Sequence, residues 1–85
     1  MHAVYVIQNN ETKEVYIGRT ANLKTRLVEH NSRGKKSTTR NSGSWKYIYV
    51  ELFRSTDDAI EREKKLKAHG SGKQKLMSRL RKSLF

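Results

Sequence analysis

The apolar residues of this chain are concentrated in three short runs of β-branched and aromatic side chains, and these runs limit what it can fold into. The first two, residues 3–7 and 15–17, are separated by the polar segment QNNETKE, as in antiparallel strands joined by a turn at Asn9-Asn10. The third, residues 45–53 with the sequence WKYIYVELF, alternates in the manner of a β-strand. Because it is the longest run, it is the candidate for the central strand.

Helical spacing follows the second strand. Gly18 is expected to end that strand, and residues 21–30 then predict a helix with Thr20 or Asn22 as its N-cap. The next segment, residues 31–44, reads NSRGKKSTTRNSGS and has the composition of an exposed loop.

Two further helices follow the third strand. Ser55-Thr56-Asp57-Asp58 combines a cap with acids in the first helical turn, and this helix should run to about Ala68. Gly70-Ser71-Gly72 is expected to break it. A basic helix over residues 73–84 then carries apolar side chains on one face, namely Leu76, Met77, Leu80 and Leu84.

These elements predict an α/β (α+β) protein, in which a small three-stranded antiparallel sheet is flanked by helices in the order β-β-α-β-α-α. The chain has 85 residues, of which 34% are hydrophobic, so it has material for one modest core. We therefore expect a single domain over residues 1–85, with the basic helix 73–84 as its C-terminal element.

The charge of the chain indicates a polyanionic partner. There are 19 Lys and Arg against 8 Asp and Glu, which gives a formal net charge of +11. From residue 64 to the C-terminus there are eight basic residues and no acid. Such an excess is typical of nucleic-acid binding, because lysines and arginines that neutralise phosphates release condensed counterions. The alternative is a basic surface that only keeps the protein soluble.

Several classes of protein are excluded by composition. The chain has no cysteine, and so no disulfide framework, thiolate zinc site or cysteine nucleophile. The N-terminus lacks the basic and apolar regions of a signal peptide, and no apolar run approaches the ~20 residues that span a bilayer. We expect a soluble, cytoplasmic protein, intracellular and nucleoid-associated, with no membrane partner.

Glu63 is the anomaly of the second predicted helix. At about 100° per residue it falls on the apolar stripe of that helix, between Ala59 and Leu66. Burying an unpaired carboxylate costs several kcal/mol, so this side chain needs a cation, a hydrogen bond, or a cleft in which it binds a metal. A structural salt bridge and a metal ligand are both consistent with the pattern.

The corner after Gly18 gathers a second set of polar groups. Arg26 and His30 lie four apart on the first helix and border its apolar stripe. The Tyr16 hydroxyl is in a position to share a space with these two side chains and with Arg19. Cationic groups around a phenol lower its pKa and favour its use as a general base. A half-buried histidine and an ordinary surface arginine are the plainer alternatives.

Five motifs lie in order along nearly the whole chain: Val4-Tyr5-Val6, Tyr16-Ile17-Gly18, Arg26 with His30-Asn31, Ala59-x-x-Arg62-Glu63, and Leu66-Lys67. In this order and spacing they closely resemble the GIY-YIG nuclease superfamily. The resemblance is greatest to its small stand-alone bacterial members, which are related to excision-repair and homing endonuclease catalytic domains. The first motif keeps the family's tyrosine but not its glycine and isoleucine.

The resemblance implies catalytic roles for the matched residues. Tyr5 and Tyr16 stand at the two motif tyrosines, and one of them activates the attacking water. Arg26 matches the arginine that stabilises the pentacovalent phosphate, while Arg19 falls at a position that is often basic. His30 occupies a position taken by His or Tyr.

The resemblance also implies a metal. Glu63 matches the carboxylate that holds a single divalent ion, and one carboxylate suits Mg²⁺ or Mn²⁺ completed by water and substrate oxygens. The ion would stabilise charge on the leaving oxygen. The implied function is a metal-dependent endonuclease that hydrolyses DNA phosphodiester bonds. Its substrates are expected to be branched, flapped or otherwise non-duplex, or to be cut with little sequence preference, because no separate readout element is present.

A non-catalytic nucleic-acid-binding module on the same fold is the alternative. Catalysis needs the motif residues together, whereas binding needs only the summed charge. In both cases phosphate contacts are expected from basic residues of the corner, the loop and the tail, namely Arg19, Lys35, Lys36, Arg40, Lys73 and Lys75. A targeting protein partner is a further possibility, and a structural protein that docks through the leucine face of its tail is a third interpretation.

Overall fold

The structure is a computed structural model that describes residues 1–36, 43–68 and 71–80, except for the side chains of residues 33–36 and 71–74. Within these ranges the elements are β1 (His2–Asn9), β2 (Val15–Thr20), α1 (Leu23–Lys36), β3 (Trp45–Phe53), α2 (Thr56–Lys67) and α3 (Ser71–Arg79). The order β-β-α-β-α-α and the α+β class are confirmed.

The strands form one antiparallel sheet in the order β2-β1-β3. The expectation that the third strand is central was therefore wrong, and the reason is burial. Strand β1 is buried from Ala3 to Asn9, whereas every residue of β3 keeps some exposure to solvent. A strand with apolar side chains on both faces is stable only where both faces are covered, and that place is the middle of the sheet.

Side-chain alternation gives β1 two unlike faces. One face carries Val4 and Val6 into a hydrophobic core shared with α2 and α3, which consists of Val4, Val6, Ile17, Ala59, Leu66, Leu76 and Leu80. The other face carries Tyr5 towards α1, and the ring of Tyr47 packs edge-on against it at a centroid distance of 5.4 Å. The sheet therefore separates an apolar core from a layer of aromatic and polar side chains.

Strand β2 continues through Gly18 to Thr20, so this glycine does not end the strand as predicted. Gly18 lies opposite Tyr5 in the β1–β2 register. A Cβ at this position would overlap the Tyr5 hydroxyl and its Cζ, and would lie 3.0 Å from Cε1 of Tyr16. Glycine is needed here because a tyrosine ring passes close to the backbone, which is a recurrent reason for glycine inside a strand.

Helix α1 is longer than the sequence pattern predicts. Its N-cap is Asn22, one of the two expected caps, whose Oδ1 accepts a hydrogen bond from the Thr25 amide at 3.1 Å. The helix continues to Lys36, although a loop was expected from residue 31. Asn31 favours the extension, because its Oδ1 accepts from the Trp45 amide at 2.8 Å and ties the helix to the start of β3.

Helix α2 begins where its capping sequence predicts. Ser55 is the N-cap, and its hydroxyl accepts from the Asp58 amide at 3.4 Å. Lysines occupy the last turn, where they complement the negative end of the helix dipole. No helix in the described ranges combines the length and hydropathy of a bilayer-spanning segment.

Helix α3 begins at Ser71, two residues before the predicted start, so Gly72 lies within the helix. Leu76 and Leu80 are buried in the core and Met77 packs against it. These contacts agree with the predicted apolar face. The helix ends at Arg79, whereas the prediction continued it through Leu80, and Leu84 lies outside the described residues.

We predict that Gly18→Ala destabilises the protein by about 1–3 kcal/mol, because the new methyl group displaces the Tyr5 ring from a tightly packed position. The free energy of unfolding in urea measures the loss. The control is Ala21→Ser at an exposed position, which we expect to change stability by less than about 0.5 kcal/mol. Equal stability of the two variants would contradict the role given to Gly18.

Candidate active site

The buried hydroxyl of Tyr5 is the centre of a polar cluster on the α1 side of the sheet. Arg26 donates from Nε to this hydroxyl at 3.1 Å, and Nε2 of His30 lies 2.9 Å from it. Arg26 and His30 are four apart on α1, so one turn of helix brings both to the same point. The hydroxyl accepts from Arg26, and it donates to the imidazole in the tautomer of His30 that leaves Nε2 unprotonated.

Tyr5 remains a phenol in this environment. Burial raises its pKa above the ordinary tyrosine value, and the opposing effect of the Arg26 guanidinium is smaller. The tyrosine in turn raises the pKa of Arg26, so that side chain is always charged. The guanidinium beside Tyr5 therefore does not bring its pKa below the ordinary value, because loss of solvent outweighs the nearby charge.

Tyr16 lies beside this cluster and is more exposed. Its side chain is 41% exposed, and its ring meets the imidazole of His30 edge-on at a centroid distance of 5.1 Å. The polar groups converge on Tyr5 instead of Tyr16, contrary to the expectation from sequence. Arg19 cannot join Tyr16 on this face, because residues three apart on a strand point to opposite sides of the sheet.

Glu63 lies on the other side of the sheet with two cationic partners. Arg19 donates from Nε to Oε1 at 3.2 Å, and Nζ of Lys67 lies 3.0 Å from Oε2. The side chain of Glu63 is 18% exposed. Arg19 is held from its far end by Nε2 of His2, which lies 2.9 Å from Nη1. Pairing with cations therefore accounts for an acid on the apolar stripe of α2.

The pKa of Glu63 lies below the ordinary glutamate value. Burial alone would raise this pKa, but the hydrogen bonds and charges of Lys67 and Arg19 outweigh it. Glu63 is consequently an anion with both carboxylate oxygens engaged.

The Tyr5 cluster on one side of the sheet and the Glu63 ion pairs on the other side meet at the β2 edge. Nζ of Lys67, which pairs with Glu63, also lies 5.6 Å from the centroid of the Tyr16 ring, within the range of a cation–π contact. The Glu63 charge also contributes to the raised pKa of Tyr5. The contacts of Lys67 thus connect the expected site residues into one continuous set around this edge, namely Tyr5, Tyr16, Arg19, Arg26, His30 and Glu63.

Glu63 is the metal donor expected from sequence. No three His, Cys, Asp or Glu side chains cluster as a metal cage among the residues that the structure describes. A single carboxylate fits Mg²⁺ or Mn²⁺ that keeps most of its water and takes the remaining ligands from substrate. The donor set therefore fits a weakly held hard cation in competition with Arg19 and Lys67.

The expected phosphate-binding residues fall into three groups. Arg19 lies in the site. Lys35, Lys36 and Lys73 lie in helices, but their side chains are outside the described residues, as is the whole of Arg40. Lys75 is exposed on α3 and lines a cleft with Arg62, Leu76 and Arg79.

Sequence reasoning missed several neighbours of the site, among them Lys67, His2 and Trp45. Lys67 had a visible signal, because it lies four residues after Glu63 on the same helix. His2 and Trp45 had none. His2 reaches Arg19 only through the pairing of β1 with β2, and the Trp45 ring lies near His30, at 6.4 Å between centroids, only because α1 packs against β3.

Comparison with known proteins gives consistent matches. A family model described as the GIY-YIG catalytic domain matches residues 1–76. A UPF0213 protein of Staphylococcus haemolyticus is 31% identical over 75 residues, which cover 88% of this chain and 89% of that protein. A UPF0213 protein of Oceanobacillus iheyensis is 30% identical over 66 residues, which cover 78% of this chain and 76% of that protein.

A solved structure has the same fold. The solution NMR structure of a UPF0213 protein from Bacillus halodurans superposes with a TM-score of 0.56 at 24% identity. The match covers 93% of this chain and 83% of that one. At this identity the likeness bears on the fold alone, and it agrees with the α+β arrangement described above.

We predict that Tyr5→Phe lowers the free energy of unfolding by about 1–3 kcal/mol, because Arg26 and His30 both lose a buried hydrogen-bond partner. Urea unfolding measures the effect. Tyr16→Phe is the matched control, and at this more exposed hydroxyl we expect a change below about 0.5 kcal/mol. A Tyr5→Phe protein as stable as the control would contradict the central position of this hydroxyl.

We also predict a pH-dependent contribution of Glu63 to stability. Because its pKa is lower in the folded protein than in the unfolded chain, its contribution is present above the unfolded value of about 4.3 and is lost as the pH falls through the folded value. The stability difference between wild type and Glu63→Gln should therefore shrink from about pH 6 to about pH 3. Urea unfolding across this range tests it, with exposed Glu11→Gln as control. A difference that does not change with pH would contradict the ion pairing.

Proposed function

Because this chain belongs to the GIY-YIG catalytic-domain family, a family of nucleases, we propose that it is a metal-dependent endonuclease that hydrolyses DNA phosphodiester bonds. The observation that carries the proposal is the convergence of Arg26 and His30 on the buried Tyr5 hydroxyl. Residues of one strand and one helix meet at a point where proton transfer and phosphate binding are both possible.

Arg26 is the proposed phosphate-stabilising residue. Its Nε bond to Tyr5 fixes the guanidinium, while Nη1 pairs at 3.2 Å with Glu29, whose side chain is 52% exposed. An exposed pair of this kind is weak and can yield to a phosphate oxygen. A fixed cation next to the phosphorus then stabilises the charge that develops in the pentacovalent transition state.

Tyr5 and His30 are the proposed proton path. Since Tyr5 is a neutral phenol, it can take a proton from the attacking water only by passing on its own. The phenolic proton goes to Nε2 of His30 at 2.9 Å as the water proton arrives at the phenolic oxygen, and the imidazole ends with one additional proton. Tyr16, which is exposed beside His30, is proposed to contact the substrate.

Glu63 is the proposed holder of Mg²⁺ or Mn²⁺. When bound, such an ion stabilises negative charge on the leaving oxygen. Arg19 and Lys67 engage the same two carboxylate oxygens, so we expect weak ion binding in the absence of substrate. Once released, the two cationic side chains remain beside the site as phosphate contacts.

The substrate proposed is DNA that is branched, flapped or otherwise non-duplex, or DNA of any sequence. The net charge of +11 supplies non-specific attraction to phosphates, and the described residues offer no separate element for reading bases. A targeting protein partner and a single-domain organisation over residues 1–85 remain part of the proposal.

A non-catalytic nucleic-acid-binding module is the second candidate. The observation that favours it is the complete pairing of Glu63, since a metal must displace at least one cation to bind this carboxylate. Such a module would bind DNA through its charge and would tolerate loss of any one residue of the site.

We predict that the protein nicks supercoiled plasmid in the presence of Mg²⁺ or Mn²⁺, and that Arg26→Ala and Glu63→Ala each slow nicking by about 10²-fold or more. Lys64→Ala is the matched control, because it removes an exposed charge from α2 next to Glu63. Gel shifts in EDTA measure binding by each variant. Retained binding with lost nicking supports the nuclease, whereas binding without metal-dependent nicking by any protein, on plasmid and on branched substrates, supports the second candidate.

A further inference from the structure

A small basic cleft lies between α2 and α3, apart from the tyrosines of the site. Its volume is about 130 Å³, and it is lined by Arg62, Lys75, Leu76 and Arg79. About 10–15 Å³ of such volume is enough for one water, so the cleft has room for several waters or one phosphate group. Three of the four lining side chains are cationic.

The cleft carries excess positive charge. Arg62 donates from Nε and Nη2 to Glu51 at 2.8 and 3.0 Å, and this pair is neutral as a whole. Lys75 and Arg79 form no ion pair with any residue in the described ranges. They lie four apart on α3 and are therefore neighbours on its surface, where like charges repel. An anion between them would turn this repulsion into attraction.

We propose that this cleft binds a phosphate of the nucleic-acid backbone other than the one that is cut. Lys75 and Arg79 supply the charge. Arg62 supplies a guanidinium whose orientation is set by its two bonds to Glu51, and Glu51 also accepts from the Tyr49 hydroxyl. Buried Leu76 forms an apolar wall, and contact with such a wall strengthens the attraction between charges by excluding water.

The position of the cleft relative to Glu63 supports a separate phosphate. Arg62 and Glu63 are adjacent on α2, but Arg62 bonds to Glu51 of β3 whereas Glu63 bonds to Arg19 of β2. These strands are the two edges of the sheet, about 10 Å apart at the usual strand spacing. This inference rests on the proposed function for the identity of its ligand. It places one strand of DNA across α2, with one phosphate at the basic cleft and another near Arg19 and Glu63.

Binding to a fluorescein-labelled single-stranded oligonucleotide in EDTA tests the proposal by fluorescence anisotropy. The double variant Lys75→Gln, Arg79→Gln should bind about tenfold more weakly at ~0.1 M salt, and the slope of log K against log salt should fall by about 0.7, as expected for one lost phosphate contact. The matched control is Lys24→Gln, Lys64→Gln, which removes two exposed charges from α1 and α2. If both double variants lose the same affinity, the cleft is not a site.

Titration with inorganic phosphate, followed by amide NMR, tests the location. In the wild type the largest changes in amide chemical shift should fall on Leu76 and Arg79, and these changes should be absent in the Lys75→Gln, Arg79→Gln protein. A dispersed spectrum of that variant also verifies that it is folded. Shifts spread evenly over the basic residues would overturn the proposal. Neither experiment depends on cleavage. A protein that binds phosphate in the cleft but never nicks DNA would therefore contradict the proposed nuclease activity and support the phosphate site.

Discussion

The close contact between Tyr5 of β1 and Gly18 of β2 is the constraint on which both the sheet and the site depend. The missing Cβ lets the tyrosine ring lie against the neighbouring strand, and its hydroxyl then reaches Arg26 and His30. A larger residue would push the ring out of this position. Val4 and Val6, on either side of Tyr5 in β1, point the other way into the core, so the packing that stabilises the sheet also helps to hold Tyr5 in place.

Electrostatic pairing organises the other face. Three of the eight acids, Glu29, Glu51 and Glu63, form ion pairs with cations in the described ranges. Glu51 fixes Arg62, and its pKa is lowered because hydrogen bonds from Arg62 and Tyr49 outweigh the effect of burial. Glu63 fixes Arg19 and Lys67 in the same way. In the described ranges Lys75 and Arg79 stand outside these ion pairs, and they supply the charge of the basic cleft.

The local signals in the sequence predicted the elements well. The third strand has the bounds that its alternation indicates, and Asn22 and Ser55 cap their helices as expected. Predictions that depend on contacts between elements were less accurate. Gly18 was interpreted as a strand end because glycine usually weakens strands, but this glycine is required by a ring from the adjacent strand. Helix α1 extends beyond the segment that its apolar spacing predicts, because Asn31 bonds to Trp45 of β3.

For the site, the sequence by itself determined which side chains are present and that Glu63 needs a partner, because helix periodicity places this acid on an apolar stripe. Only the tertiary structure decided that the partners are Arg19 and Lys67, and that Arg26 and His30 meet at Tyr5 instead of Tyr16. The reason is physical. Periodicity determines the direction of a side chain within its own element, whereas the strand register and the packing of helices on the sheet determine what it meets.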